Sequence, residues 1–216
     1  MNDFDIEWEP YSFPNIVIYH AKLPESIMDR LWTYIDKADG TRSWNKHLAG
    51  NVESSLVLED SGDFFAKRII LPMSREYIKR SMIPLEGNHS SDHFSPEDWD
   101  SLKVTKLWVN FQNQHEFNPL HCHTGLLSFV IWMRIPTESE EQDKLPFTKD
   151  SNSKVVSDFQ FFYSDILGTH RDIVVPMGSK MEGTIFIFPA KLRHQVYPFY
   201  NCDEKRISIS GNVDTK

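Results

Sequence analysis

Two closely spaced histidines are the part of this sequence whose type and spacing could do chemistry. His121 and His123 lie between two apolar runs rich in Val, Phe, Trp and Ile, so both are expected at or beside a strand end. Residues two apart in a strand point to the same side. Both imidazoles could therefore face one point, which is what a metal ion requires. A later histidine, His194, follows an apolar strand that ends in a Pro turn.

A second chemical feature is the alternating segment that begins at Arg206. Arg206, Ser208 and Ser210 share one face of the predicted strand, and Ile207 and Ile209 share the other. A polar inward face that ends in an Arg favours a pocket for an anion. The planar guanidinium makes two parallel hydrogen bonds to a carboxylate, which the point charge of a Lys cannot match.

The elements that must position these residues differ between the two halves of the chain. Residues 15–19 predict a short strand, and residues 24–37 carry apolar side chains at helical spacing. Residues 63–82 have a second helical pattern, in which Pro72 must interrupt or start a helix. The polar stretch 84–100 contains His89 and His93, and its composition is typical of a loop rather than of a metal site.

The second half predicts a strand-rich sandwich or barrel. Short β-branched or aromatic runs are separated by polar or Gly/Pro segments. These runs are 102–104, 107–111, 126–135, 159–163, 173–175, 184–188 and 206–210. The charged, Ser/Asn-rich piece 137–154 predicts a long solvated loop with the character of a mobile lid.

Composition limits the classes of function. The chain has 216 residues, 40% of them hydrophobic, and a formal net charge of -8 without a long basic run, which disfavours nucleic acid and anionic membranes as partners. No apolar run is long enough to span a bilayer and the start lacks a signal peptide's pattern, so a soluble, cytoplasmic protein is expected. Cys122 and Cys202 argue against a disulfide framework, and Cys122 is expected to be a packed thiol.

The order of these motifs resembles the Fe(II)/2-oxoglutarate-dependent dioxygenases, in the branch with an H-x-H metal motif. The resemblance covers roughly residues 107–212 and is carried by H-x-H at His121, by FPAKLRH, which ends at His194, and by RISIS, which starts at Arg206. A lone H-x-H is weak evidence, whereas the three pieces in this order are fairly specific.

The resemblance implies Fe(II) and 2-oxoglutarate as cofactor and cosubstrate, with O2 consumed and succinate and CO2 released as an unidentified substrate is hydroxylated. His121 and His194 match the metal histidines, Arg206 the residue that binds the far carboxylate of 2-oxoglutarate, and Ser208 its small polar partner. Two second-tier candidates for contact with the cosubstrate lie on the strand before the site. They are Asn110 and Gln112.

His123 departs from the usual pattern, because it stands where the superfamily has a carboxylate ligand. Three outcomes are open: His123 is the third ligand, it lies outside the ligand set and water or an anion fills the position, or a carboxylate such as Asp165 enters. Three neutral imidazoles would leave the ion's charge uncompensated, so the dianionic cosubstrate would have to balance it.

Two other classes of protein fit part of the pattern. Cupins carry H-x-H and a later histidine, and include metal-binding proteins and three-histidine enzymes that do not use 2-oxoglutarate. They expect a Glu shortly after H-x-H, whereas Thr124–Ser128 contains none. A non-enzymatic jelly roll would leave the clustering of the three histidines and Arg206 to chance.

We therefore predict a mainly β protein with a helical flank, in which a double-stranded β-helix (a jelly-roll, cupin-like barrel) has the N-terminal helices packed on one sheet. Residues 1–216 are expected to form a single domain, with 1–100 as the mainly helical flank and 101–216 as the β core. The primary substrate, a protein side chain or a metabolite, stays open, as does a homodimer.

Overall fold

The computed structural model describes residues 15–80 and 100–215, and its main feature is a pair of antiparallel sheets. The larger sheet has six strands in the order β1-β8-β5-β10-β3-β2, and the smaller has four in the order β4-β9-β6-β7. The strands are β1 (Tyr19–Lys22), β2 (Ser54–Val57), β3 (Leu102–Gln112), β4 (Asn118–His121), β5 (Leu127–Arg134), β6 (Phe159–Ser164), β7 (His170–Val175), β8 (Thr184–Pro189), β9 (Arg193–Val196) and β10 (Arg206–Thr215).

The helices are short and three in number in the described part of the chain. They are α1 (Glu25–Asp36), α2 (Leu71–Arg80) and α3 (Ser139–Gln142). A π-helical turn, Ala66–Ile70, runs directly into α2, so Pro72 lies within a continuous helical segment, and its missing N–H interrupts the backbone hydrogen bonds where the π-helical turn gives way to α2. None of the helices in residues 15–80 and 100–215 combines the length and apolar character needed to cross a membrane.

The first helices cover the outer face of the larger sheet. Leu31 and Tyr34 of α1 and Tyr77 of α2 are buried against the side chains that β10 and its neighbours turn outward, among them Ile207 and Ile209. The apolar stripe of each helix is thereby removed from water, which is the main source of stability for such short helices. The expected mainly β jelly roll, with N-terminal helices packed on one sheet, is confirmed.

The inner face of the larger sheet packs on the smaller sheet through a second, aromatic core. Trp132 of β5, Phe159 and Phe161 of β6, and Phe186 and Phe188 of β8 form its centre. Ring centroids lie 4.5 Å apart for Phe159 and Phe161 and 4.9 Å apart for Phe161 and Phe188, with edge-to-face geometry in both pairs. Trp132, Phe159 and Phe188 of this layer also line a cavity between the sheets, together with the polar side chains of Ser208 and Ser210 of β10.

Several elements differ from the sequence-based expectations. The first strand is Tyr19–Lys22, beyond most of the predicted 15–19 segment. The first hundred residues also contribute both edge strands of the larger sheet, β1 and β2. β4 and β9 were not predicted, because their sequences, NPLH and RHQV, lack the β-branched alternation on which the prediction depended.

The predicted solvated loop 137–154 is wrong in part, because the segment contains α3 and buries polar side chains. Gln142 donates its Nε2 to the carbonyl of Tyr200 at 2.9 Å and accepts the Tyr200 N–H at 2.8 Å. Thr148 is also buried and donates to the Gln142 carbonyl. A polar side chain stays in water only where no backbone group is near enough to bond to it. Here the backbone of Tyr200, before β10, bonds to Gln142.

Candidate active site

Three imidazoles converge at one end of the smaller sheet. His121 ends β4 and lies directly opposite His194 of β9, while His123 follows in the next loop, where its N–H donates to the carbonyl of Ala190 at 2.8 Å. One ring nitrogen from each histidine falls within a group whose members all lie within 4.8 Å of one another. Strand pairing, not sequence proximity, brings His194 to the other two.

Hydrogen bonds fix which nitrogen each strand histidine presents. His121 donates Nδ1–H to the carbonyl of Pro119 at 2.7 Å, and His194 donates Nδ1–H to the carbonyl of Leu192 at 2.9 Å. A carbonyl oxygen can only accept, so Nε2 of both rings is left with its lone pair free. This is the arrangement of metal-binding histidines, whose other nitrogen is held by a backbone carbonyl or a carboxylate.

The separation of the ring nitrogens suits a metal ion. The Nε2 atoms of His123 and His194 lie 3.2 Å apart. Two nitrogens at about 2.1 Å from an ion and at right angles to each other would be about 3 Å apart. Three imidazoles on one side of an ion leave other positions open, as do the two histidines and one carboxylate of the usual non-haem iron site.

The histidines are also held in the uncharged form that binds metal. Burial, and to a smaller extent the neighbouring His121, lower the pKa of His123 to about 4. Burial likewise lowers the pKa of His121, and the pKa of His194 lies well below its usual value, because of burial first and then of the two other rings. Neutral rings offer their lone pairs at neutral pH without a proton to displace.

Arg206 is a fully buried cation without a carboxylate at ion-pair distance among the described residues. Its Nη2 donates to the backbone and side-chain oxygens of Ser157, at 2.8 and 2.5 Å, while Nε and Nη1 are buried without an acceptor. Burial lowers the pKa of the guanidinium to about 10, an effect that the charge of Asp158 partly offsets. The unpaired N–H groups fit a carboxylate, for which a guanidinium has the right geometry.

The register of β10 against β3 places the other predicted residues. Ser208 pairs with Asn110 and Arg206 pairs with Gln112, so all four belong to the inward face. Asn110 donates weakly to the Ser208 hydroxyl at 3.5 Å and accepts a hydrogen bond from Ser55 at 3.0 Å. Gln112 instead donates to the carbonyl of Glu116 at 2.6 Å, which ties down the turn after β3.

Most of these groups line one cavity of about 390 Å³ between the sheets. They are His121, His123, His194, Asn110 and Ser208, whereas Arg206 and Gln112, the next pair along the two strands, are not among its lining residues. The contact of Gln112 with the cosubstrate stays a prediction, and its amide Nε2 is already bonded to the turn after β3.

Sequence reasoning missed one wall of the cavity. It comes from the first half of the chain, where Trp44 and His47 stack with ring centroids 4.1 Å apart, and Trp44 lies 5.8 Å from the ring of Trp108. The only sequence signal was a Trp and a His three residues apart in a polar segment.

Other candidate ligands do not join the three histidines. Asp165 lies in the β6–β7 turn, where it accepts the N–H groups of Leu167 and Thr169 and a bond from Arg171. Cys122 was expected to be packed but is exposed, because the chain has left β4 by that point. His89 and His93 lie outside the described residues.

Comparisons with known proteins agree with this geometry. A family described as "Putative 2OG-Fe(II) oxygenase" matches residues 106–212, about half of the chain. No curated protein matches the sequence.

Solved structures provide more distant likenesses. A Pseudomonas putida prolyl-4-hydroxylase is 11% identical, with a TM-score of 0.49, and the match covers 92% of each chain. OsALKBH1 is 12% identical, with a TM-score of 0.44, over 94% of this chain and 98% of that chain. A Burkholderia pseudomallei oxidoreductase of the 2OG-Fe(II) oxygenase family is 14% identical, with a TM-score of 0.36, over 52% of this chain and 43% of that chain.

The family match spans all three histidines and Arg206, and in the structure the three imidazoles converge on one point while Arg206 has N–H groups left for a carboxylate. The chain therefore belongs to the 2OG-Fe(II) oxygenases, oxidoreductases that use Fe(II) and 2-oxoglutarate.

Proposed function

We propose that this protein is a dioxygenase that hydroxylates a C–H bond of its substrate and converts 2-oxoglutarate and O2 to succinate and CO2. The observation that carries the proposal is the buried Arg206, whose Nε and Nη1 have no acceptor, on the same strand face as the Ser208 that lines the histidine cavity. A protein that only held a metal ion would have no need of this cation.

In this proposal His121, His123 and His194 are the metal ligands and so the catalytic residues. Bound Fe(II) would supply the oxidative chemistry, by chelating the 2-oxo acid and reacting with O2. The chain's own contribution is orientation: two backbone carbonyls fix the ring tautomers of His121 and His194. Trp132, Phe159 and Phe188 of the aromatic core between the sheets give the cavity an apolar wall.

Arg206 would bind the distal carboxylate of 2-oxoglutarate, with the hydroxyl of Ser208 beside it. Asn110 accepts from Ser55 through its oxygen, and so its Nδ2 is directed at the Ser208 oxygen. Ser208 then accepts from Asn110 and has its own O–H free to donate to the carboxylate. Asn110 is therefore a positioning residue in our proposal, and Gln112 supports the neighbouring turn.

We propose His123, rather than a carboxylate, as the third ligand, because its Nε2 lies 3.2 Å from that of His194, whereas Asp165 is held by a turn. The three ligands carry no charge, so the ion would be neutralised by the dianionic cosubstrate. This couples metal and cosubstrate binding more closely than a site with its own carboxylate would. A metal-binding cupin that does not use 2-oxoglutarate is the competing function. The buried Nε and Nη1 of Arg206, which have no acceptor, count against it.

The test is formation of succinate from 2-oxoglutarate by the purified protein with added Fe(II) under air. We expect turnover above the metal-only background, even without the primary substrate, and its loss in His194→Ala. An Arg193→Ala variant, which changes an exposed neighbour on the same strand, should keep it. Background turnover in the wild type, together with no effect of His194→Ala on metal binding, would leave the enzymatic proposal without support.

A further inference from the structure

The site has an outer half that the cosubstrate does not need. On the inward face, β10 presents in turn Arg206, Ser208, Ser210 and Asn212, which pair with Gln112, Asn110, Trp108 and Lys106 of β3. Six residues of strand separate the two ends by about 20 Å. His123 contacts Trp108 at 6.0 Å between ring centroids, so the histidines lie near the middle. A diacid held between Arg206 and the histidines would occupy only the half of this face that begins at Arg206.

The outer half is built from aromatic rings and one cation. Lys106 holds its Nζ 5.3 Å from the centre of the Trp44 ring, and it lies at ion-pair distance from no carboxylate of the described chain. Trp44 stacks between His47 and Trp108. The indole Nε1 of Trp108 is buried without an acceptor, although this side chain lines the cavity. A ligand there would find a flat apolar surface, a cation and an N–H donor.

The cavity's charge is opposite in sign to that of the chain. The sequence has 31 acidic and 23 basic residues, yet no Asp or Glu is found among the described residues that line the cavity. Arg206 and the metal account for the charge of the cosubstrate. The positive charge of Lys106, which is exposed at the edge of the cavity, is not needed for the cosubstrate and can attract and orient a second anion.

The outer wall is also fixed in place, which limits the size of the ligand. The Asn45 side chain accepts the N–H of Ser55 at 2.8 Å and donates to the carbonyls of Val52 and Glu53 at 2.7 Å. Asn51 exchanges two backbone hydrogen bonds with Phe117, at 2.9 and 3.3 Å. The volume of about 390 Å³ is near the lower end of the roughly 300–1,000 Å³ typical of small-molecule pockets.

From these observations we infer that the primary substrate is a small carboxylic acid, whose apolar or aromatic body packs on Trp44 and Trp108 and whose carboxylate is held by Lys106. The inference deepens the proposed function and rests on it, since it assigns to the substrate the half of the cavity that 2-oxoglutarate leaves free. A small acid fits this cavity better than a side chain of a folded partner protein does, because hydrogen bonds hold the wall around Trp44 in place.

Binding of three matched probes tests the inference: phenylacetate, phenylacetamide and 2-phenylethylamine share a ring and differ in charge. Each is titrated by calorimetry into the Fe(II)- and 2-oxoglutarate-saturated protein under nitrogen. We expect phenylacetate to bind most tightly and the amine most weakly. Lys106→Gln should weaken phenylacetate about threefold to fivefold, the size of one partly exposed ion pair, and leave phenylacetamide unchanged.

Two further variants separate charge from stacking. Trp44→Ala should weaken the acid and the amide by the same factor, while Trp44→Phe, which keeps a ring, should restore most of the affinity. Lys103→Gln is the control, because Lys103 is exposed on the same strand and does not line the cavity. It should change neither probe.

Three results would overturn the inference: equal affinity for acid and amide, an acid-to-amide ratio unaffected by Lys106→Gln, or phenylacetate that 2-oxoglutarate displaces. A calorimetric titration with 2-oxoglutarate alone distinguishes failure of the substrate inference from failure of the proposed function. If 2-oxoglutarate binds and the preference for the acid is absent, only the substrate class is wrong. If 2-oxoglutarate also fails to bind, the proposed function is wrong with it.

Discussion

Arg206 holds a buried positive charge whose hydrogen bonds within the described chain go to neutral oxygens, while the charge of Asp158 acts on it without an ion pair. Ser157 accepts two hydrogen bonds from one arm of the guanidinium, and the ring of Phe199 lies 5.0 Å below its central carbon. Burying a charge without a counter-ion is unfavourable, which is why the pKa of this group is lowered. Such a group binds an incoming carboxylate strongly, because the desolvation cost has already been met during folding.

Replacement of this cation should therefore affect binding more than folding. Arg206→Met keeps a long side chain and removes the charge, and we expect the KM for 2-oxoglutarate to rise about 10- to 100-fold, from loss of roughly 1.5–3 kcal/mol of charge-assisted bonding. Initial rates of succinate formation against 2-oxoglutarate concentration measure this. Arg134→Ala, at an exposed position on the neighbouring β5, is the matched control. An unaltered KM would show that another residue holds the acid.

Whether His123 is a metal ligand determines the net charge of the ligand set in the proposed metal site. If it is the third ligand, His123→Ala should weaken binding of Mn(II), a redox-inert probe, by at least the ~10- to 100-fold typical of losing an outer partner of a ligand. His123→Asp, which returns a carboxylate to this position, should keep the metal. Calorimetric titration measures both, with His170→Ala, an exposed histidine of β7, as the control. Equal affinity in wild type and His123→Ala would exclude His123 from the ligand set.

The segment between β5 and β6 supports the side chain of Arg206. Gln142 of α3 binds both backbone groups of Tyr200, the residue after Phe199, and Ser157 near the end of the segment holds Arg206. Ser157 itself adopts a left-handed backbone (φ 71°) and is fully buried. An element that fixes both the guanidinium and the ring beneath it is a structural clamp, and this is a different role from that of the mobile lid that its composition indicated.

Loss of the clamp should be measurable as stability. Gln142→Ala removes two hydrogen bonds and leaves the Tyr200 backbone groups without their partner, so the free energy of unfolding should fall by about 1–3 kcal/mol. Urea unfolding followed by fluorescence gives this value, and the exposed neighbour Glu141→Ala should stay within ~0.5 kcal/mol of wild type. Identical midpoints for the two variants would mean that the segment is held elsewhere.

The whole molecule is organised around a larger sheet whose two faces have different tasks. The outer face packs on the N-terminal helices, and the inner face carries Arg206 together with Ser208 and Asn110, which line the cavity. Successive residues of one strand serve both faces, since side chains alternate. We therefore propose that the helical flank and the β core form one folding unit, in which the flank stabilises the strands that hold the site.

A core substitution in the flank tests this proposal. Leu31 of α1 is fully buried in the outer core, so Leu31→Ala should lower the free energy of unfolding by about 2–5 kcal/mol. The loss should move the far-UV and near-UV transitions together, as expected for two-state unfolding. Leu167→Ala, at a position 88% exposed, is the control. Two separate transitions, with only one shifted by Leu31→Ala, would show that the flank folds as an independent unit.

The sequence by itself determined the class of the fold and the candidate residues of the proposed metal and cosubstrate sites. His121, His123 and Arg206 could be recognised because the alternation of a strand is local: residues two apart share a face whatever surrounds them. Helix α1 was predictable for the same reason, since its apolar stripe repeats within a dozen residues.

Only the tertiary structure decided which side chains from distant parts of the chain lie opposite the candidate site residues. Trp44 and His47 reach the cavity because β2 pairs with β3, across about fifty residues of sequence. The periodicity of a single segment cannot predict the register of such a distant pair. Gln142 likewise became buried because the Tyr200 backbone lies beside it. Partners of this kind are set by chain topology, so the substrate's half of the cavity became visible only once the sheets were in place.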